Sequence, residues 1–264
     1  MMMPFAIAAG STIGRDHRET GRNYQDAWVL QQADGLTIGV VADGCGSGRF
    51  SEVGARLGSM LLASNLREQF MTGRGINWAR AQRQVLARLD TIAVMSGSGY
   101  RQFVEDHFLF TLVGIAMTPV ITTVFALGDG VVAINDEVRR LGPFPDNMPP
   151  YLGYGLLEGR VGIDPDLIVI EPIAELATDD VDSWLIGTDG VGDYIDREGT
   201  VLPGLASTLP PLSDFWENDR YYSGNAELLS RQLRLAARDW PRSDPYPGLL
   251  HDDTTILVGR RERR

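Results

Sequence analysis

Two long helical periods stand back to back in a chain otherwise written as short β-type runs, and that order restricts the fold more than any other feature. From Ser51 the apolar residues Val53, Leu57, Met60, Leu61 and Phe70 keep a helical spacing. After a break at Gly73 and Gly75, Trp78, Val85, Leu86, Leu89, Ile92 and Ala93 keep it again. Before the pair lie β-type runs at 5–9, 27–30 and 36–42. After it come runs at 108–117, 120–127 and 131–135, parted by Thr118-Pro119 and by Gly128-Asp129-Gly130, so an antiparallel meander is expected. The four prolines of 143–155 mark a loop, and 167–173 and 184–187 read as buried strands. A helix over 225–240, with Leu228, Leu229, Gln232, Leu233 and Ala236 on one face, and a strand at 254–258 complete the series. No repeat or low-complexity linker divides it. The order is α+β: two antiparallel sheets packed together with helices outside, in a single domain over residues 1–264.

Composition removes several chemistries. All 24 basic residues are arginine, so an ATP-binding P-loop, a protein kinase, a Schiff-base enzyme or a haloacid-dehalogenase-type phosphatase has no active-site lysine to use. A net charge of -11 with no basic face disfavours nucleic acid as a partner. One cysteine, Cys45, and three scattered histidines, His17, His107 and His251, make neither a disulfide nor a zinc framework. The apolar start, residues 1–10, is short and lacks a basic region, and no run of 18 apolar residues follows, so a cytoplasmic protein with no membrane span is expected. The basic end, 259–264, reads as a solvated tail.

The chemistry lies in how the β-type runs end. VVADGCG stops on Asp43, ALGDG on Asp129, LIGTDG on Asp189, and HDDTT places Asp252 and Asp253 just before the last strand. A lone Asp-Gly is an ordinary hairpin turn; four such ends in one chain are not. Asp43 and Asp189 follow apolar runs, and a carboxylate buried there needs a partner. Without lysine, the partner is a cation. Hard divalent ions such as Mg²⁺ and Mn²⁺ take carboxylate, carbonyl and water oxygen, and a close pair of them activates water against a phosphate ester.

The ordered set NYQDAW, VVADGCGSG, SEVGA, LGDG, LIGTDGVGD and HDDTTILV, spread over about 10–258, resembles the metal-dependent serine/threonine protein phosphatases of type 2C, in their divergent bacterial branch. The resemblance implies a four-layer α/β/β/α sandwich of two antiparallel sheets flanked by helices, with a binuclear Mn²⁺ or Mg²⁺ centre. It implies metal ligation by Asp26 through water, by Asp43 as the bridging carboxylate, by the carbonyl of Gly44, and by Asp189 and Asp252. Asp129 with Asp189 would hold a third, weaker ion, and Asp193 matches a further outer acidic residue. The implied reaction is in-line attack on phosphorus by a hydroxide bridging the two ions. An arginine would orient the ester, and the implied partners are a phosphorylated protein and its kinase system.

The chain departs from that pattern at three places. Gln25 stands where the family usually has Glu, Cys45 where many members have a histidine that serves the leaving alcohol, and Gly21 where the family has its phosphate-binding arginine. Arg22 is the preferred substitute, with Arg18 the next. His107 and His251 are proton carriers by residue type alone. Two alternatives stay open at this point: a pseudophosphatase that uses the fold for binding, and a metal-dependent hydrolase of small phosphate esters.

Overall fold

Each residue of the run LTIGVVA is buried, and it forms a strand paired on both sides. The computed structural model describes residues 5–33, 35–73, 75–97, 99–157, 164–239 and 247–262, and among these it builds ten strands and seven α-helices around such runs. The first four residues of the apolar start, Trp240 of the expected last helix, and Arg263 and Arg264 lie outside the described residues, and 259–261 are no tail, since they continue the last strand with Gly259 buried and Arg260 and Arg261 paired on it. The chain clusters into two compact units: Gln25–Asp129 with Gly142–Asp180, and the described residues of Pro4–Tyr24, Gly130–Leu141 and Val181–Arg264.

The first unit holds β2 (Ala27–Ala33), β3 (Leu36–Ala42), β4 (Leu112–Met117), β5 (Ile121–Leu127) and β8 (Glu171–Ala177), in the spatial order β2-β3-β4-β5-β8, every neighbour antiparallel. Helices α2 (Ser51–Met71), α3 (Trp78–Met95) and α4 (Tyr100–His107) flank it. Helix α2 does not bury the face its large apolar residues suggest. Val53 and Met60 are exposed, while Gly54, Ala55, Gly58, Leu62, Ala63 and Leu66 are buried. The reason is proximity: a Cβ on Gly54 would stand 2.0 Å from the carbonyl oxygen of His107, and one on Gly58 would stand 2.1 Å from the Phe110 ring. A helix held that close is specified by small residues, which a hydrophobic-period search passes over.

Two further expectations shift. The run at 167–173 is not a buried strand: Pro165–Leu167 is a 3-10 turn, Ile168 and Ile170 dip into the core, and β8 starts at Glu171 as an edge strand with four of its seven residues exposed. Pairing on one side only lets β8 carry Glu171 and Glu175. At 108–111 the chain is not yet in β4, because α4 occupies the residues just before it.

The second unit orders its strands β1-β10-β9-β6-β7, again all antiparallel: β1 (Phe5–Thr12), β6 (Gly130–Ile134), β7 (Glu137–Leu141), β9 (Ser183–Gly187) and β10 (Thr254–Arg261). Strand β7, EVRRL, is a polar edge strand that hydrophobic alternation does not reveal; Asn135 at φ 54° makes the tight turn into it. Short helices α1 (Arg15–Thr20), α5 (Gly190–Asp196) and α6 (Asp214–Glu217) accompany this sheet. Helix α7 (Leu228–Ala237) buries Leu229, Leu233 and Ala236 and lies against β1, where a Cβ on Gly10 would meet Leu229 Cδ2 at 2.2 Å.

Candidate functional site

In the first unit three of the expected aspartates gather at one end of the sheet. Ala27 pairs with Ala42, so Asp26 and Asp43 come one step beyond that pair on adjacent strands. The Thr111 N–H donates to the Asp43 carbonyl at 2.8 Å and Gly44 bridges to Phe110, which carries the same edge across to β4. Leu112 pairs with Leu127, and two residues later Asp129 turns the chain out of β5. Asp26 is buried, and Asp43 and Asp129 are half-buried. Gly44 has no room for a side chain: a Cβ would stand 2.7 Å from the Gln25 carbonyl oxygen and 2.8 Å from Ser51 Oγ.

Gln25 is part of this scaffold. Its Nε2 donates to the carbonyl of Gly48 at 3.0 Å, tying strand β2 to the turn Gly46–Gly48. Cys45 is buried, its Sγ 3.1 Å from Ser47 Oγ and its N–H donated to Leu109 O at 2.9 Å. Above it sits a residue that spacing did not single out. Tyr151 follows Pro149-Pro150, is pinned where Leu152 N–H meets Phe110 O at 3.0 Å, and reaches the Cys45 thiol beside the carboxylates of Asp43 and Asp129. Burial first, then these neighbours, pushes its phenol far above the ordinary value, so it stays a neutral donor.

The second unit gathers the other acidic residues. Asp189 ends β9 and opens α5; the Thr188 N–H donates to Thr255 O at 3.1 Å, which sets Asp189 beside the entry to β10. One helical turn on, Asp193 Oδ2 accepts the main-chain N–H of His251 at 2.7 Å and of Asp252 at 3.3 Å. Asp252 is an exposed residue whose carboxyl is nonetheless crowded by protein atoms. That crowding pushes its pKa up, and Asp253 and Asp193 add to the rise. Asp253 is 1% exposed; its Oδ1 accepts the Gly14 N–H at 2.7 Å and its Oδ2 lies 3.0 Å from His17 Nδ1. His17, Asp252 and Asp253 bring one ligand atom each within 4.8 Å of one another.

The basic residues of the first helix separate by direction. Arg18 runs to the Ala237 carbonyl and Asp239, and Arg15 Nη2 meets His251 Nδ1 at 2.6 Å. Arg22 is exposed at the foot of α1, its N–H on the His17 carbonyl at 2.9 Å and its charge felt by the His17 ring. Gly21 sits in the left-handed region at φ 68° as the cap of α1, a place for glycine. His107 stacks on Phe103 with ring centroids 4.2 Å apart, in an aromatic cluster of the first unit. His17 is the histidine that joins the acidic group. Its signal in the sequence was Asp252-Asp253 itself, since the second of two adjacent carboxylates before a buried strand needs a partner of its own.

Residues 13–150 match the sequence profile described as protein phosphatase 2C, just over half of the chain. The chain belongs to the protein phosphatase 2C family. Its fold agrees with that of a bacterial serine phosphatase at 15% identity and a TM-score of 0.54, over 100% of this chain and 99% of the other. It agrees also with the serine/threonine phosphatase Stp1 from Staphylococcus aureus at 14% identity and 0.53, over 100% and 96%. A sex-determining protein of C. elegans aligns at 12% identity and 0.56, over 97% of this chain, which spans 64% of that protein's length. No curated protein matches the sequence. As a 2C family member the chain has the expected pair of antiparallel five-stranded sheets flanked by helices. No helix among the described residues is long and apolar enough to cross a membrane.

The donors fit the hard divalent ions. Asp26, Asp43 and Asp129 at one sheet end and Asp189 and Asp252 in the other unit offer carboxylate oxygen, with the carbonyl of Gly44 besides. No thiolate lies among these donors, the one cysteine being hydrogen-bonded elsewhere.

Proposed function

We propose that this 2C family member is a metal-dependent phosphoprotein phosphatase, one catalytic domain acting in the cytoplasm on phosphoserine or phosphothreonine laid down by a kinase. The observation that carries the reading is the position of the acids: in each sheet, strands that end side by side end on aspartate. By the resemblance, the donors for Mn²⁺ or Mg²⁺ are Asp26, Asp43 and the Gly44 carbonyl in the first unit and Asp189 and Asp252 in the second, with Asp129 and Asp189 assigned to a further, weaker ion. Such ions supply a Lewis acid for the phosphoryl oxygens and a water acidic enough to attack phosphorus at neutral pH. The chain's own part is to hold the carboxylates in place, through Asp193 on the 251–252 backbone and Gln25 on the glycine turn. Arg22, exposed and next to the acidic group, orients the ester.

A phosphoserine peptide incubated with chelated protein, and with Mn²⁺ or Mg²⁺ restored, tests this. Phosphate release that needs the metal, a melting temperature raised by millimolar Mn²⁺, and loss of both in Asp43→Asn are expected. Equal melting curves in EDTA and Mn²⁺ would remove the metal centre. Metal binding without turnover would leave a pseudophosphatase, and preference for a nucleotide over the peptide a small-ester hydrolase.

A further inference from the structure

We propose that His17 is a substrate-contacting residue, held at Nδ1 by Asp253 and offering its Nε2 edge to the phosphoryl group brought beside Asp252. The inference rests on the phosphatase reading above and adds to it a residue and a contact.

Three observations carry it. Asp253 is almost wholly buried and both its oxygens are engaged, one by the Gly14 N–H at 2.7 Å and one by His17 at 3.0 Å, so the carboxylate is fixed and fixes the ring in turn. His17 keeps 13% of its side chain exposed although Nδ1 itself is buried, so the solvent-reached part of the side chain lies away from the nitrogen that faces Asp253. The ring also stands beside Asp252: His17, Asp252 and Asp253 bring one ligand atom each within 4.8 Å of one another, whereas Arg15 is turned to His251 and Arg18 to the end of α7.

An imidazole with one nitrogen on a buried carboxylate has its orientation set and its other nitrogen available, the arrangement by which proteins aim a histidine at a charged ligand. A phosphate ester next to Asp252, Asp253 and Asp193 meets three carboxylates, and donors must balance them there. His17 is placed to be one, in company with Arg22. Backbone geometry brings α1 to this position: the Arg15 and Asp16 N–H groups donate to Leu250 and His251 carbonyls at 3.0 and 3.1 Å, and Gly14 packs so tightly that a Cβ would stand 2.3 Å from the Asp252 carbonyl carbon.

Two substitutions separate contact with phosphate from support of Asp253. The amide nitrogen of asparagine falls where Nδ1 lies, and that of glutamine where Nε2 lies. His17→Asn therefore keeps the Asp253 contact and loses the outward donor; His17→Gln does the reverse. Affinity for inorganic phosphate, measured by calorimetry in Mg²⁺, should fall about ten-fold in His17→Asn and less in His17→Gln, since a hydrogen bond to a charged group is worth roughly one decade. In the wild type, saturating phosphate should shift the ¹⁵N resonance of His17 Nε2, a readout that needs no variant. Equal or reversed order of the two variants, or an unmoved Nε2 resonance on a protein that binds phosphate, overturns the proposal and leaves the phosphatase reading standing. A wild type that neither binds phosphate nor releases it from the peptide removes both.

Discussion

Gln25 donates from Nε2 to the carbonyl oxygen of Gly48 at 3.0 Å, and that single bond accounts for a departure from the family pattern. A glutamate at this place has no proton to give at neutral pH, so the turn that follows Asp43 would lose its tie to β2. Gln25 is 2% exposed, so water does not replace what is lost.

Gln25→Glu should therefore destabilise the metal-free protein by about 1–3 kcal/mol at neutral pH, the range for leaving a buried acceptor opposed by a charge. Lowering the pH until the glutamate is protonated should recover much of it. Urea unfolding of both proteins at pH 7 and pH 5 checks this. A glutamate variant as stable as the wild type at pH 7 would show that the tie does not matter.

A second expectation concerns two glycines of α5. A Cβ on Gly190 would stand 2.1 Å from the Asp253 carbonyl oxygen, backbone that cannot swing aside, whereas one on Gly192 finds nothing nearer than 3.7 Å, at the flexible end of Arg140. Gly190→Ala should cost about 1–3 kcal/mol and displace Asp253, while Gly192→Ala, inside a helix, should be neutral or stabilise by up to ~1 kcal/mol. Thermal melting of the pair decides the matter, and equal melting temperatures would contradict the close approach.

The aspartates and their order were legible because a carboxylate at the end of an apolar strand is costly without a reason, and the central strand at 36–42 was legible to the residue for its unbroken apolar run. What escaped was specified by smallness or by distance in sequence. Helix α2 is placed by Gly54 and Gly58 and not by Val53 and Met60, and β7 is a polar edge whose pairing comes from the turn at Asn135. His17 and Asp253 are 236 positions apart, and Tyr151 reaches Cys45 from a proline loop. No local periodicity announces contacts of that kind.

Stability should also titrate through the first helix. The Asp253 carboxylate, outweighing burial, holds the His17 pKa above its ordinary 6.5. A raised pKa means that the folded form binds the proton more tightly, so the contribution is fully present below about pH 6.5 and is lost as the pH rises through the elevated value. In EDTA, the stability gap between wild type and His17→Asn should thus be widest below pH 6.5 and narrow toward alkaline pH. A gap that widens with pH would reverse the assignment.

Cys45 occupies the place where many relatives carry a histidine, and its surroundings argue for packing over proton transfer. The thiol is buried, 3.1 Å from Ser47 Oγ, and further contacted by the Tyr151 phenol, so its hydrogen-bonding capacity is spent within the first unit. A group that protonates the leaving alcohol matters for a serine alkoxide and little for a phenolate, by about 10²–10⁴-fold in the demanding case. Cys45→Ala removes the sulfur without touching the backbone bond to Leu109. It should lower turnover of a phosphoserine peptide and of an aryl phosphate by the same modest factor, because what changes is the support under Tyr151 and Asp43. The ratio of the two rates is the measurement. If that ratio falls by more than ten-fold, with the aryl phosphate spared, the thiol is the acid and the packing assignment is wrong.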